Sequence, residues 1–401
     1  MSLHIGSELV LTAEKPVAGG RMLARHEGQI VLVAGAIPGE RVRVRIERVS
    51  PQLAFAGTIE VVERSADRRA WNADWACGGT LYAHISYSRQ LSLKAELVAD
   101  GFARIGKMTL AQVLEVMGSA EDGYRMRARL HIRNGRIGFF REGSHDLCDA
   151  GPTRQLLPAT CEALKRVEGE IGAGGDRAAL SCEVSENIAG DQRAMLIEFD
   201  DGSAELASGY DSPYVTDRIE VSGASVVFRH HIRSFFQGNR WLLPELVARV
   251  VRQVPEGGVI DLYAGVGLFA VSLAALGRSG IAAVEGDRFS AHDLEHNAAP
   301  YAGAIAVTHI PVERYVENRT SRATQTVVLD PPRTGVSGEA MSGILAMKAP
   351  RIVYVSCDVA TLARDVRRFA EAGYRLDHIE AFDLFPNTAH VETLVVLTRT
   401  L

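Results

Sequence analysis

The chain has 401 residues, 47% of them apolar and 23% charged, with a formal net charge of −5. That length exceeds what one hydrophobic core usually serves, so two or three domains are expected, and the composition excludes a disordered or low-complexity chain. No apolar run approaches the roughly 18 residues that span a bilayer, and no basic, apolar leader pattern opens the sequence; both predict a cytoplasmic protein with no membrane partner.

The first sixty or so residues carry short β-rich runs, Ile30–Val33 and Val42–Ile46, broken by Gly19-Gly20 and Pro38-Gly39. This pattern predicts an OB-type β-barrel over residues 1–62. Arg41, Arg43 and Arg45, with Arg48 beyond, alternate along one such run, and Arg125, Arg127 and Arg129 repeat the pattern later. Each set predicts a strand with one basic face, which could meet phosphate despite the acidic total, although a solvated strand face accounts for it as simply.

Residues 63–230 predict a central α+β domain, with helical spacing from Leu81 to Ile105 that could pack on the C-terminal domain, and a second helix near Thr160–Ile171. The five cysteines (Cys77, Cys148, Cys161, Cys182, Cys357) are scattered through a large chain and read as reduced thiols.

From residue 231 to 401 the pattern becomes strands alternating with helices: Gly258–Leu262, Ile281–Glu285, Ile305–Thr308, Thr326–Leu329 and Arg351–Ser356. That alternation predicts a Rossmann-like, doubly wound parallel sheet. Tyr374–Phe385 and Val391–Thr398, separated by Pro386-Asn387-Thr388, predict a closing hairpin.

Asp261-Leu-Tyr-Ala-Gly265-Val-Gly267 ends the first strand of this sheet, and its glycines let backbone approach a ligand at the next helix. Glu285, about twenty residues on, is placed to bind ribose hydroxyls. These residues alone fit NAD as well as S-adenosylmethionine. Asp330-Pro331-Pro332-Arg333 favours the latter, because an acid followed by rigid prolines projects polar groups into the cleft at the sheet's carboxyl edge, and hydride transfer has no evident need of it.

Ser356-Cys357 ends the next strand at that same edge. A cysteine at a strand end is more often inert and buried, but here the following helix offers a positive N-terminus that is expected to lower the thiol pKa. His390-Val391-Glu392 puts an imidazole and an acid just before the last strand. A thiolate, a carboxylate and a methyl-donor cleft suit methylation of a pyrimidine at carbon 5. Carbon 5 of uracil is a weak nucleophile until a thiolate adds at carbon 6, and a base must then remove the carbon 5 proton.

Phe235-Phe236-Gln237-Gly238-Asn239, the glycine motif, Glu285, Asp330-Pro-Pro-Arg333, Ser356-Cys357, Thr361-Leu-Ala-Arg-Asp365 and Phe385-Pro386 with His390-Val-Glu392 together resemble the bacterial RNA 5-methyluridine methyltransferases. The resemblance runs from about Arg233 to the end. It implies a class I S-adenosylmethionine-dependent fold, with Gln237, Tyr263, Gly265, Glu285 and Asp330 at the cofactor, Cys357 as nucleophile and Glu392 as base. The N-terminal barrel is similar to the TRAM module of the ribosomal RNA branch, which implies 23S rRNA ahead of transfer RNA as the partner. A non-catalytic RNA-binding protein on the same fold and a nicotinamide-dependent dehydrogenase are the other readings.

The chain departs from the family in two places. Many ribosomal RNA members hold an iron–sulfur cluster by a C-x5-C-G-G-C stretch and a later cysteine; here the stretch is Trp71-Asn-Ala-Asp-Trp-Ala-Cys77-Gly-Gly-Thr80, leaving Cys77 and Cys148. Four thiolates normally hold such a cluster, so no cluster and no other metal is expected. Asp358-Val359 also follows Cys357 where the family usually has Asn-Pro, which implies an altered nucleophile loop.

Overall fold

The computed structural model describes residues 3–172, 178–317 and 325–400. Residues 8–63 form a six-stranded barrel-like sheet whose neighbours run Glu8–Thr12, Arg41–Val49, Leu53–Glu63, Gln29–Ala34, Met22–His26, Lys15–Pro16. Val42, Val44 and Ile46 point inward and are fully buried, so the intervening arginines point out, as the two-residue period of a strand requires. Those arginines are not an open basic face. Arg41 pairs with Glu63, Arg43 with Glu60 and Arg45 with Glu8, at 3.1, 2.8 and 2.7 Å, while Arg48 lies 3.9 Å over the Phe55 ring.

The central unit is a second six-stranded sheet, antiparallel throughout, in which Arg127–Arg133 pairs with Ala179–Glu186 and Arg136–Phe140. Helix Pro158–Gly172 shares its core. Here the expected basic stripe fails. Arg127 turns inward and donates to the carbonyls of Ile232 and Ser234, Arg129 pairs with Glu198 at 2.6 Å, and Arg125 donates to Gln155 Oε1 at 2.7 Å. Burial lowers the Arg127 pKa to about 10.

The C-terminal sheet has eight strands, in the order Ile305–His309, Ile281–Glu285, Val259–Leu262, Thr326–Leu329, Arg351–Ser356, Glu392–Arg399, Tyr374–Phe382, Val116–Met117. The first five are mutually parallel, and Glu392–Arg399 inserts antiparallel between Arg351–Ser356 and Tyr374–Phe382. Helices flank both faces, and the strand order reverses between Val259–Leu262 and Thr326–Leu329, which opens a crevice at their carboxyl ends. Two large cores, one on each face, hold the sheet.

The units interlock across the boundaries expected from sequence. Val116–Met117 joins the C-terminal sheet by parallel pairing with Ala381 and Phe382, and helix Tyr87–Arg104 packs on helix Val359–Glu371. Hairpin Tyr214–Val221/Ala224–His231 shares a core with the C-terminal sheet through Ile219, Val221, Val226 and Phe228. The expected boundary at 231 therefore falls too late, because the hairpin's apolar face is covered by the helices that follow it.

The expectation of reduced thiols also fails for one pair: Cys77 and Cys148 form a disulfide, with Cα atoms 5.7 Å apart. The physical cause lies in the central sheet's edge. Cys148 pairs with Phe139, and Cys77 forms a bridge with Arg141 two residues along that strand, so the two thiols meet across 71 residues of sequence. Cys161, Cys182 and Cys357 are free. Among the described residues no helix is long and apolar enough to cross a membrane.

Candidate active site

Loops from five strand ends converge on a cavity of about 560 Å3 at the carboxyl edge of the C-terminal sheet. Gln237, Tyr263, Gly265, Glu285, Asp330, Cys357 and Glu392 all line it. The residues singled out from sequence are thus brought together in one place. His390 is not among them: it lies exposed, its ring edge-on to Phe385 at 5.9 Å.

Tyr263, Gly265 and Gly267 all take positive φ (61°, 57° and 93°), folding the strand end sharply back toward the helix that starts at Leu268. A Cβ on Gly267 would sit 2.7 Å from Leu294 and 2.9 Å from Val271, so only glycine fits. Gly265 donates its N–H to Glu285 Oε2 at 2.7 Å, and Glu285 Oε1 accepts from Asp287 N–H at 2.7 Å. Asp287 in turn caps helix Arg288–Ala298 by accepting from Phe289 and Ser290. Beneath the loop, Asp261 Oδ2 accepts from Ala270 N–H at 3.0 Å while Oδ1 is buried with no donor among the described residues, and burial pushes its pKa up to about 8.

Gln237 is held between two pinned neighbours. Phe236 is buried with its ring stacked on His230 at 4.4 Å. Asn239 donates to Leu384 O and Ser119 Oγ, both at 3.0 Å, and accepts from the Trp241 and Leu242 amides. Gln237 Nε2 then points at Asp330 Oδ2, 3.4 Å away.

The Asp330-Pro-Pro-Arg333 turn is braced by helix Val359–Glu371. Asp365 Oδ2 accepts from Val336 N–H and Tyr354 O–H at 2.9 and 3.0 Å, Arg364 donates to Thr334 O at 3.1 Å, and Thr361 Oγ1 donates to Arg333 O at 3.2 Å. This explains the Thr361-to-Asp365 motif, to which sequence alone gave no role. Burial raises the Asp330 pKa to about 7, opposed by the Gln237 amide and reinforced by Glu285.

Cys357 leaves strand Arg351–Ser356 and Glu392 begins the antiparallel strand beside it. The expected helix-dipole depression of the thiol pKa does not hold. Burial, with the Glu392 charge next, pushes the Cys357 thiol up to about 11, and the positive charge of Arg333 only partly offsets this. Glu392, 2% exposed, is itself held well above the usual carboxylate range by burial and by Asp330, with Arg333 opposing. Arg333 is the cation this acid-rich centre depends on, and the sequence motif contained it without marking it as a site residue. Asp358 has a local role: its side chain accepts from Thr361 N–H at 2.8 Å and caps the helix, while Val359 packs on Gly101.

A cavity walled by Glu285, Asp330 and Glu392, with a glycine turn for close backbone approach and a buried acceptor in Asp261, fits a cationic, ribose-bearing ligand. Fold and site together define a class I methyltransferase architecture. Residues 311–400 match the family described as tRNA (uracil-5-)-methyltransferase, and residues 4–59 match the TRAM domain. The 23S rRNA (uracil(1939)-C(5))-methyltransferase of Methylococcus capsulatus is 31% identical over 99% of this chain and 100% of its own length. An uncharacterized RNA methyltransferase of Corynebacterium glutamicum is 28% identical over 100% of this chain and 98% of its own. The Pyrococcus abyssi tRNA (uracil-54, C5)-methyltransferase, solved with S-adenosyl-L-homocysteine, superposes with a TM-score of 0.76 at 23% identity, over 97% of this chain and 100% of that one. The chain belongs to the RNA (uracil-5-)-methyltransferase family.

Proposed function

We propose that the protein methylates carbon 5 of a uridine in 23S rRNA, taking the methyl group from S-adenosylmethionine. One observation carries the reading: a thiol and a buried carboxylate lie in the wall of the cavity that also holds Gln237, Glu285 and Asp330. S-adenosylmethionine, when bound, supplies an electrophilic methyl on a sulfonium. Glu285 would take its ribose hydroxyls, Gly265 and Tyr263 would lie along its backbone, and Asp330 with Gln237 would hold its charged amino-acid end.

Cys357 sheds its proton to solvent, and the resulting thiolate, stabilised by Arg333, adds to carbon 6 of the uracil. The ring electrons pass to an enolate and make carbon 5 nucleophilic. After methyl transfer Glu392 removes the carbon 5 proton, the carbon–sulfur bond breaks, and the ring recovers its double bond. Because ring faces are covered in stacked RNA, the target uridine must be unpaired or swung out into the cavity. The raised pKa makes the ionised Glu392 a stronger base than an ordinary carboxylate.

The ribosomal choice is supported by the names of two relatives that this chain covers over 100% and 87% of their own length. The barrel does not separate the two RNAs, since a transfer RNA enzyme shares the fold over 97% of this chain. The test is incubation with methyl-labelled S-adenosylmethionine and separate unmodified 23S rRNA and transfer RNA transcripts, followed by nucleoside analysis. Label in 5-methyluridine from 23S rRNA supports the reading. Label in transfer RNA alone overturns the substrate, and no label in either overturns the reaction.

A further inference from the structure

Glu392 emerges from a loop, residues 383–391, that is held chiefly by chain about 300 residues earlier. Asn387, 2% exposed, takes a left-handed backbone (φ 66°) at the loop's midpoint. Its Oδ1 accepts from Arg69 Nη2 at 2.8 Å and Gln90 Nε2 at 3.0 Å, its N–H donates to Gln90 Oε1 at 2.9 Å, and its carbonyl accepts from Tyr82 N–H at 2.8 Å. Gln90 is fully buried and spends the rest of its amide on the carbonyls of Tyr82 and Ile85. Ala389, two residues on, packs against the core of the N-terminal barrel.

The left-handed backbone alone does not demand asparagine, since glycine adopts it with less strain. What asparagine adds is an acceptor that two donors from one distant segment share. That segment, residues 69–90, runs from the end of the barrel into the first turn of helix Tyr87–Arg104, which packs on helix Val359–Glu371.

We propose that Asn387 is a positioning residue for Glu392: Arg69 and Gln90 fix the loop through it, so the post-barrel segment completes the active site. This rests on the reading of Glu392 as the base. A base must be held to within about half an ångström to act at its proton, and a loop released at its midpoint loses that constraint. Addition of Cys357 and methyl transfer do not need the base; release of the sulfur from carbon 6 does. A loosened loop therefore stalls the reaction after methyl transfer.

The experiment compares full-length wild type, Asn387→Gly and Asn387→Asp with a 23S rRNA transcript and methyl-labelled S-adenosylmethionine. Asn387→Gly keeps the backbone and removes the shared acceptor, so kcat should fall about 10- to 100-fold with KM for RNA falling alongside it, because the slowed step follows covalent capture, and labelled RNA should accumulate covalently on the protein in denaturing gels. Asn387→Asp keeps the acceptor and should restore turnover. Arg69→Gln serves as a second variant if Asn387→Gly melts early, with the same adduct expected. Turnover like wild type in both, or loss in both without adduct, overturns the proposal. Absence of label with wild type overturns the catalytic reading itself, and the proposal with it.

Discussion

Cys357 and Glu392 stand at the same end of two paired strands. Ser356 pairs with Thr393 as the last rung of the antiparallel ladder, so Cys357 directly follows one member of that rung and Glu392 directly precedes the other. Both then line the same cavity. The ladder therefore brings thiol and carboxylate to one place although 35 residues of sequence separate them.

Their mutual influence sets a pH dependence. With a pKa of about 11, the Cys357 thiol is a weak nucleophile at neutral pH in the absence of RNA. Iodoacetamide alkylation of Cys357 should rise about tenfold per pH unit from pH 8 to beyond pH 10. Glu392→Gln removes the opposing charge, so at pH 9 alkylation should accelerate several-fold while methyl transfer to RNA fails to release product. A plateau in the alkylation rate by about pH 9.5 would show an ordinary thiol and contradict the raised pKa.

The catalytic edge was readable from the chain because a parallel sheet concentrates its ligands at strand ends. The strands Ile281–Glu285, Thr326–Leu329 and Arg351–Ser356 fall where the apolar runs place them, and the motif after each necessarily meets the others. What the sequence withheld depends on distant partners. Nothing near Lys94 announces that it is fully buried against Asp383, 289 residues away. The arginine alternation at 125–129 correctly marks a strand region but not that Arg127 caps carbonyls of the neighbouring unit. The thiol pKa was misjudged because dipole logic is local, whereas burial and the facing carboxylate are tertiary.

Asp330 gives a second pH signature. Its raised pKa, about 7, means that the protonated form grows as pH falls through 7. A cationic ligand favours the ionised form, so S-adenosylmethionine affinity measured calorimetrically should weaken as pH drops from 8 to 6, approaching tenfold per unit below 7. Asp330→Asn should bind more weakly at pH 8 and flatten the profile. A profile unchanged by that substitution would remove Asp330 from the cofactor site.

The Arg127 contacts predict an effect on stability and none on RNA binding. Arg127→Ala would leave the carbonyls of Ile232 and Ser234 without their donor and cost about 1–3 kcal/mol. Urea denaturation should show that loss, while the salt dependence of RNA binding stays as in wild type. A shallower salt slope would return Arg127 to the docking surface.

Lys94 and Asp383 are both fully buried, and Lys94 also donates to Phe385 O at 3.0 Å beside the cavity. Replacing one partner strands the other's charge in a dry site. Lys94→Met should lower unfolding free energy by about 3–5 kcal/mol, and the double variant Lys94→Met/Asp383→Leu should recover much of it. Equal destabilisation by the single and double variants would show that the pair's contribution is packing alone.

The Cys77–Cys148 bridge closes a loop of 71 residues between the post-barrel turn and the edge of the central sheet. Chain-entropy arguments give such a crosslink about 3–5 kcal/mol, by restricting the unfolded chain. Cys77→Ser and Cys148→Ser should each lower the melting temperature by a similar amount, and the double variant by no more than either single, since each removes the same bond. A reductant should do to wild type what it cannot do to the variants. The same two thiols are what this chain retains of a possible cluster ligand set, so iron and acid-labile sulfide in anaerobically purified protein should be far below stoichiometric. Near-stoichiometric iron and sulfide would mean that the thiols serve a metal instead, and the melting temperature would then fall on chelation and not on reduction.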